Sequence, residues 1–419
     1  MIGGCYIEKI KGREILDSRG NPTVEAEVTL KNGICKIGIS PSGASTGMFE
    51  AMELRDRDSR YNGRGVTRAV ENINTIINKA LKGKDVSDIN AVDKLMIGLD
   101  GTENKSRLGA NSILAVSIAC CKAAASSQGV PLYKILGGEA VGRIPVPMMN
   151  IINGGRHAPS SRLDIQEFMI VPEKHATFKE SLRKCSEVYH NLADILKERG
   201  MSVSVGDEGG FVPEIYSDEE AIELILKAVE KAGYKVGIDF SLALDAAASE
   251  WKTDKEGEYM LPKSGKRLTS QQLIEHWQKL VDKYPIIAVE DGLDEEDWLG
   301  WTKMTKLLKD KASIVGDDLF VTDISRIKKG ISLKCANSVL IKMNQIGTVS
   351  ETIEAVKTAK EAGYEVICSH RSGETEDTTI ADLAVALNME RIKAGAPCRG
   401  ERTAKYNRLI RIEEEIFNI

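Results

Sequence analysis

Residues 338–345 read Ser-Val-Leu-Ile-Lys-Met-Asn-Gln, a short β-prone apolar run that ends at a lysine and then becomes polar. A buried strand of a parallel sheet has this pattern, with Lys342 expected at its carboxyl end. Taken alone, such a lysine is more often a solvated strand end than a functional group. The interpretation of Lys342 therefore depends on whether other strands of the chain end in the same way.

Other short apolar runs in the second half of the chain also stop at an ionisable residue. These runs end at Asp245, Glu290, Asp317, His370 with Arg371, and Lys393. After the longer interval between Asp245 and Glu290, these ends recur about every 25 residues, with helix-like segments between them. The carboxyl ends of the strands of a (β/α) barrel converge on one active site. The recurrence therefore predicts an α/β fold of the (β/α)8 barrel type with one functional end.

The residue types at these ends indicate the chemistry of the site. Asp245, Glu290 and Asp317 offer hard oxygen ligands on three successive strands, which suits Mg²⁺. A lysine becomes a base when its ammonium form is disfavoured, and a metal ion together with Lys393 would disfavour that form of Lys342. The pattern predicts metal-assisted abstraction of a proton next to a carboxylate.

A different pattern precedes the barrel. Residues 21–40 alternate between apolar and polar, and an Asn32-Gly33 pair in their middle indicates an antiparallel hairpin. Between residues 65 and 136 the apolar spacing becomes helical, and Gly137-Gly138 breaks it. We predict a smaller α+β domain with an antiparallel meander and helices at residues 1–138, which caps a catalytic barrel at residues 139–419.

Composition excludes several classes of protein. The 419 residues carry a net charge of −5 without a long basic block, so we expect no nucleic-acid partner. The longest apolar stretch, Ile113–Cys121, is too short to span a bilayer, which needs roughly 20 residues. Residues 1–11 lack the apolar core of a signal peptide. The eight cysteines form no CxxC motif and favour reduced thiols in a cytoplasmic protein.

Two loops offer further candidate residues. Residues 41–47, Pro-Ser-Gly-Ala-Ser-Thr-Gly, form either a simple connection or a mobile lid whose oxygens, including that of Ser45, reach a ligand or metal ion. His157 follows two glycines, which places it on a flexible loop as either a surface residue or a ligand contact.

Two acidic positions extend the proposed barrel rim. The strand-like run 163–171 buries either Gln166 or Glu167 by alternation. Asp207 and Glu208 lie in a tight glycine turn, where acidic residues are usually solvated. Crowding by the other carboxylates on the barrel rim would raise the pKa of such a carboxyl and suit it to act as a general acid.

These residues belong to longer stretches that resemble the enolase family over essentially the whole chain. The serine loop at residues 41–47 and the His-Arg-Ser-Gly-Glu-Thr run are the most specific of them. The matching stretches are residues 17–25, 41–47, 205–210, 316–319, 340–347 and 369–377.

The resemblance implies reversible dehydration of 2-phospho-D-glycerate to phosphoenolpyruvate, a step of glycolysis and gluconeogenesis. It implies two Mg²⁺ per active site. Asp245, Glu290 and Asp317 would hold the first, and Ser45 would help to hold the second, which arrives with the substrate. Lys342 would take the C2 proton and Glu208 would assist departure of the C3 hydroxyl. The substrate contacts that the resemblance implies are His157, Glu167, Glu290, Asp317, Arg371, Ser372 and Lys393.

Members of the family are usually homodimers and sometimes octamers built of dimers. The resemblance places Arg13, Glu25 and Arg411 near a subunit contact. The chain departs from the family around His157, where Pro159-Ser160 replaces a small or amide-bearing pair, and also at Arg156, Ala394 and Cys398. Proline fixes φ and removes an N–H, so closure of this loop could differ.

Two other interpretations stay open at this point. One is a racemase or sugar-acid dehydratase of the same superfamily, which would keep the metal carboxylates and the base but need no phosphate site. The other is a catalytically silent binding protein on the same scaffold, which would be expected to have lost metal or base residues.

Overall fold

The computed structural model describes residues 5–44, 46–138, 142–158, 161–173 and 177–418. The chain opens with a three-stranded antiparallel sheet of order β1-β2-β3, which confirms the predicted hairpin. Its strands are β1 (Ile7–Leu16), β2 (Pro22–Leu30) and β3 (Cys35–Ile39). Gly33 has φ +86° in the turn between β2 and β3, a conformation that glycine adopts without strain.

Helices cover one face of this sheet. α1 (Thr67–Asn72) and α2 (Asn78–Leu81) are joined by a π-helical turn, and α3 (Ile89–Asp100), α4 (Ala110–Gln128) and α5 (Leu132–Gly137) follow. α4 is long and apolar enough to cross a membrane, but 83% of its most apolar window is buried inside the protein, as in a core helix. β3 packs closely on it, because a Cβ atom at Gly38 would lie 2.3 Å from the Ala115 carbonyl oxygen.

The remainder of the chain forms a closed eight-stranded barrel surrounded by helices, which confirms the predicted fold class. In chain order, the strands are β4 (Val146–Asn153), β5 (Glu167–Pro172), β6 (Phe240–Asp245), β7 (Glu258–Met260), β8 (Arg267–Thr269), β9 (Ile286–Glu290), β10 (Ser313–Gly316), β11 (Ser338–Ile341), β12 (Glu365–Ser369) and β13 (Arg391–Lys393). β7 and β8 form a separate hairpin outside the barrel.

Helices follow most of the barrel strands. They are α6 (Phe178–Glu198), α7 (Asp218–Lys231), α8 (Ser270–Lys283), α9 (Trp298–Leu308), α10 (Ile324–Leu333), α11 (Met343–Ile346), α12 (Val349–Glu361), α13 (Thr379–Ala386) and α14 (Gly400–Phe417). The barrel is closed by parallel pairing of β13 with β4, in which Arg391 lies opposite Val146.

One strand breaks the regular alternation of strand and helix that the spacing predicted. β5 is antiparallel to both β4 and β6, whereas the other pairs of the barrel are parallel. No α-helix lies between β4 and β5 in the described residues, and a parallel connection usually needs such a crossover. The reversal places Glu167, the first residue of β5, opposite Asp245, the last residue of β6.

The two parts of the chain meet along α3, α4 and α12. Asp93 of α3 is fully buried at this contact, and its Oδ2 accepts a hydrogen bond of 3.0 Å from the backbone N–H of Ser350 in the first turn of α12. Its Oδ1 has no hydrogen-bond partner within the described ranges. Burial raises the pKa of Asp93 to about 6, against the opposing effect of hydrogen bonds from Ser350 and Ser117.

The predicted boundary between the two domains, at residues 138 and 139, stays a prediction.

The Asp93 carboxyl group should make stability depend on pH. The pKa of an aspartate is 3.8 in a reference peptide and about 6 for Asp93 in the folded protein, so the folded state holds the proton more tightly. Proton binding stabilises the folded protein fully below about pH 4. As the pH rises through 6, about 3 kcal/mol of this stability is lost. Asp93→Asn, which keeps an acceptor for Ser350, should lose less stability between pH 4.5 and 7.5 in urea unfolding. The same loss in both proteins would contradict the prediction.

Candidate active site

The predicted strand ends meet at one end of the barrel. Asp245, Glu290 and Lys393 are the last residues of β6, β9 and β13. Asp317, Lys342 and His370 directly follow β10, β11 and β12. One cavity at this end is lined by most of the predicted site residues. They are His157, Glu167, Glu208, Asp245, Asp317, Lys342, Arg371, Ser372 and Lys393.

Lys393 connects three carboxylates in the floor of the cavity. Its Nζ lies 2.8 Å from Asp245 Oδ2, 2.9 Å from both oxygens of Glu290 and 3.0 Å from Glu167 Oε2. Burial by itself lowers the pKa of this ammonium, but the three carboxylates outweigh it and raise the pKa well above its usual value. Burial and the adjacent Asp245 raise the pKa of Glu290 well above the usual range. Negative charge is therefore concentrated where a cation is expected to bind.

Lys342 forms a buried ion pair with Asp317 on the neighbouring strand. Burial lowers the pKa of Lys342, and Arg371 and Lys393 act in the same direction, as the sequence predicted. Asp317 and Glu290 nevertheless outweigh these effects, so the pKa of Lys342 is raised. The pKa is raised because Lys342 contacts one of the predicted metal ligands directly. The prediction of a lowered pKa combined Lys393 with a bound metal ion, and it stays a prediction for the metal-loaded site.

Glu208 departs from prediction in the opposite direction. Burial raises the pKa of this carboxyl, but the His370 and His157 rings, together with Arg402 and Lys393, outweigh burial and hold the pKa well below its usual range. The sequence predicted a raised value from crowding by carboxylates. That prediction is wrong because imidazoles and cations, rather than carboxylates, have the largest electrostatic effects on Glu208. His370 Nε2 lies 3.6 Å from Glu208 Oε2, and His157 Nδ1 lies 3.8 Å from its Oε1.

Two neighbours of Glu208, His157 and Glu167, have raised pKa values instead. His157 is buried between two carboxylates, and its Nδ1 lies 3.3 Å from Glu167 Oε1. Burial lowers the pKa of His157, but Glu208 and Glu167 outweigh it and raise the pKa. Burial and the charge on Glu208 raise the pKa of Glu167. A proton in this group is therefore held by His157 or Glu167 in preference to Glu208.

The glycine turn holds Glu208 in place through contacts to β4 and to the segment that follows β13. Asn150 of β4 donates from Nδ2 to Glu208 Oε2 at 3.2 Å, and the Glu208 carbonyl accepts from the N–H of Ala396 at 2.9 Å. Gly209 follows with φ +88°, where a Cβ atom would lie 2.7 Å from Cys398 Sγ. The departure at Cys398 therefore contacts the acidic turn directly.

The loop after β3 lies on Arg371 and Ser372. Ser42 and Gly373 exchange two backbone hydrogen bonds of 3.0 and 2.8 Å, and the Ala44 N–H donates to Ser372 Oγ at 3.2 Å. Ser45 lies outside the described residues, as do Pro159 and Ser160. These contacts place the loop beside the cavity, while a mobile lid and the role of Ser45 stay predictions.

Glu50, which the sequence analysis did not single out, pairs with the same arginine. Its Oε2 lies 2.9 Å from Arg371 Nη1 and its Oε1 lies 3.1 Å from Nη2, a two-point ion pair between the small domain and the barrel. Arg371 Nη1 also donates to Asn344 Oδ1 at 3.1 Å. A carboxylate thus occupies the guanidinium face that is suited to a phosphate group.

Two further carboxylates surround Asp317. Asp291 accepts hydrogen bonds from the backbone N–H groups of Asp317 and Asp318, at 2.9 and 2.8 Å, and so holds the turn after β10. Oxygen atoms of these three residues lie within 4.8 Å of one another, an arrangement that could hold a metal ion. Asp291 and Asp318 each directly follow a predicted ligand, and strand alternation gave no reason to select them.

Family comparisons agree with this geometry. A family model described as the enolase N-terminal domain matches residues 7–136, and one described as the enolase C-terminal TIM barrel domain matches residues 142–418. The chain belongs to the enolase family. Membership indicates a hydro-lyase of the enolase family and a small-molecule substrate.

The donor set of this enolase-family site fits Mg²⁺. Asp245, Glu290 and Asp317 offer only oxygen atoms, they are buried, and β6, β9 and β10 are adjacent in the barrel. Burial, with the charges on Asp245 and Asp317, raises the pKa of Glu290 despite the opposing effects of Lys393 and Lys342. The predicted ligands are therefore suited to a divalent cation, while the ion and the number bound stay predictions.

The predicted subunit-contact residues form contacts within the chain. Arg13 forms an ion pair with Glu25 across β1 and β2, and its Nη2 lies 2.7 Å from Glu27. Arg411 is exposed on α14. A contact between subunits at these residues stays a prediction.

Proposed function

We propose that the protein catalyses reversible dehydration of 2-phospho-D-glycerate to phosphoenolpyruvate and water, a phosphopyruvate hydratase of glycolysis and gluconeogenesis. The observation that carries this proposal is the juxtaposition of two sites at one barrel end. A buried carboxylate and lysine centre lies beside Arg371 and Ser372, onto which the small domain lays the loop after β3. A substrate that bears both a carboxylate and a phosphate matches this pair of sites.

Different cations are suited to the two anionic groups of the substrate. Arg371 and Ser372 are suited to the phosphate, because a guanidinium donates two parallel hydrogen bonds to an oxyanion. Lys393, buried among Asp245, Glu290 and Glu167, is suited to the substrate carboxylate. When phosphate binds, it would displace the Glu50 carboxylate from Arg371. Substrate binding is thereby linked to the segment after β3 that carries Glu50.

Lys342 is the proposed base that removes the C2 proton. Mg²⁺ held by Asp245, Glu290 and Asp317, with a second ion held in part by Ser45, would supply Lewis-acid stabilisation of the charge that develops on the substrate carboxylate. Lys342 becomes a base when Asp317 no longer stabilises its ammonium form, because Arg371 and Lys393 already lower the pKa of Lys342.

Glu208 is the proposed group that assists departure of the C3 hydroxyl. Its low pKa means that the proton reaches it from a neighbour, and His157 at 3.8 Å has a raised pKa. Glu167, also with a raised pKa, contacts the same histidine at 3.3 Å. We therefore assign the acid function to Glu208 together with His157 and Glu167, while Glu208 faces the leaving group.

The test is the ultraviolet absorbance of phosphoenolpyruvate formed from 2-phospho-D-glycerate, with Mg²⁺ and then with excess chelator. Turnover should require Mg²⁺, and chelation should lower the rate by about 10³-fold or more, since a metal ion contributes several kcal/mol to such transition states. D-glycerate, which lacks the phosphate, is the matched control and should not turn over. A folded, metal-loaded protein that forms no phosphoenolpyruvate would contradict the proposal, and turnover of D-glycerate would favour a phosphate-independent dehydratase.

The proposal carries two expectations about cellular context. A glycolytic enzyme is expected in the cytoplasm, and the family resemblance favours a homodimer or an octamer built of dimers. Sedimentation velocity of the purified chain measures the oligomer directly.

A further inference from the structure

α14 places two fully buried cations beneath the substrate-binding loop at residues 370–375. Arg402 and Lys405 both have 0% exposure. Lys405 Nζ donates to the Thr375 carbonyl at 2.7 Å and lies 3.0 Å from Glu374 Oε2. Arg402 is nearer to the cavity and contacts His370 itself. The cavity lining includes neither cation.

Arg402 uses both of its terminal nitrogens within this loop and the acidic turn. Nη1 lies 2.5 Å from His370 Nδ1 and donates to the Arg371 carbonyl at 2.7 Å. Nη2 donates to the Ser372 carbonyl at 2.6 Å and to the Asp207 carbonyl at 3.2 Å. One guanidinium therefore connects the imidazole, the phosphate-binding backbone and the turn that carries Glu208.

The contact with His370 restricts where the imidazole proton lies. A guanidinium has only donors and stays protonated in proteins. The ring nitrogen that faces it must therefore be the acceptor, so Nδ1 of His370 carries a lone pair and the single proton lies on Nε2. His370 Nε2 is the nitrogen that lies 3.6 Å from Glu208 Oε2.

We propose that Arg402 is a positioning residue that fixes His370 as the neutral Nε2–H tautomer, so that the ring directs its N–H towards Glu208, 3.6 Å away, and towards the cavity. The catalytic meaning of this assignment rests on the proposed function, whereas the tautomer itself does not. His370 is then neither a proton acceptor nor a cation during turnover. The two histidines next to Glu208 have different tasks, because His157 shares the exchangeable proton with Glu167 and His370 only directs an N–H towards Glu208.

The charges that surround His370 agree with this assignment. Burial lowers the pKa of His370 well below its usual value, and Arg402 of α14, Lys393 of β13 and Lys342 after β11 act in the same direction. Glu208 opposes them, and its effect is outweighed. A second proton on the ring would have to displace the Arg402 hydrogen bond as well as face three cations.

Nitrogen-15 NMR of histidine-labelled protein measures the tautomer directly. The chain has five histidines, so the spectrum is simple, and His370→Asn assigns the signals of interest. We expect Nδ1 of His370 to resonate as a hydrogen-bonded, unprotonated nitrogen and Nε2 as a protonated one, without titration from pH 5.5 to 8.5. A protonated Nδ1, or an imidazolium within this range, would overturn the proposal without the need for any Arg402 variant.

A pair of variants tests the role of the arginine. In Arg402→Met the His370 ring should titrate or change tautomer, kcat should fall by about 100-fold, and guanidinium ion in the buffer should restore part of both losses. Lys405→Met removes the other buried cation of α14 and should leave the His370 signals unchanged. An Arg402→Met protein that retains the Nε2–H tautomer would overturn the proposal.

The proposed function fails independently of this inference. A wild-type protein with the expected His370 spectrum but no turnover of 2-phospho-D-glycerate would refute the proposed function and leave the tautomer assignment in place. A protein that turns over 2-phospho-D-glycerate but whose His370 titrates would refute the tautomer assignment and leave the proposed function in place.

Discussion

Replacing Lys342 by alanine should abolish exchange of the C2 proton of 2-phospho-D-glycerate with solvent, lowering its rate by about 10⁴-fold. Lys342 is the proposed base, and its ammonium pairs with Asp317 in the lining of the cavity. Proton NMR in deuterated buffer measures the exchange as loss of the C2–H signal.

Two controls separate loss of the base from loss of the site. Mg²⁺ affinity should be unchanged or higher in Lys342→Ala, because Asp317 has lost its cationic partner. A small alkylamine in the buffer should restore part of the exchange, since it can enter the space left by the side chain. Persistent exchange in the variant would remove Lys342 as the base.

Replacing Glu208 by glutamine should spare C2 proton exchange and block elimination of the C3 hydroxyl, with formation of phosphoenolpyruvate reduced by about 10²- to 10⁴-fold. Glutamine keeps an acceptor for the Asn150 side chain, which donates to Glu208 at 3.2 Å, so the turn should keep its geometry. It cannot relay a proton from His157 to the leaving hydroxyl.

The neighbouring acid provides the matched control for this second variant. Asp207 lies in the same turn but is exposed, and it contacts Arg402 through its carbonyl oxygen only. Asp207→Asn should therefore keep near-normal turnover. Normal turnover of Glu208→Gln would place the acid elsewhere, with Glu167 the next candidate because of its raised pKa.

Local sequence predicted the strand ends well, because burial of a parallel strand leaves a readable apolar run that stops at its functional residue. Asp245, Glu290 and Lys393 are the last residues of their strands, and Asp317 and Lys342 directly follow theirs. These positions depend on residues adjacent in the chain, which is the information that a single sequence contains.

Features that depend on distant pairs were not predictable in the same way. Glu50 reaches Arg371 from the other domain, and Arg402 reaches His370 from the last helix. The pKa directions of Lys342 and Glu208 depend on which charges become neighbours after folding, and the prediction for Glu208 was wrong for that reason. The reversal of β5 likewise follows from a connection without an intervening helix, so that Glu167 enters the cavity from the beginning of its strand.

The pairing of β13 with β4 has a consequence for how the chain folds during synthesis. β4 emerges early, whereas its partner at residues 391–393 follows only after every other barrel strand. Until then the barrel is an open sheet with two unpaired edges, which are exposed to association with other nascent chains. Arg402 and Lys405 emerge later still. The segment from residue 391 to Lys405 therefore both seals the barrel and completes the candidate active site, so a chain that terminates before residue 391 should be aggregation-prone rather than partly active.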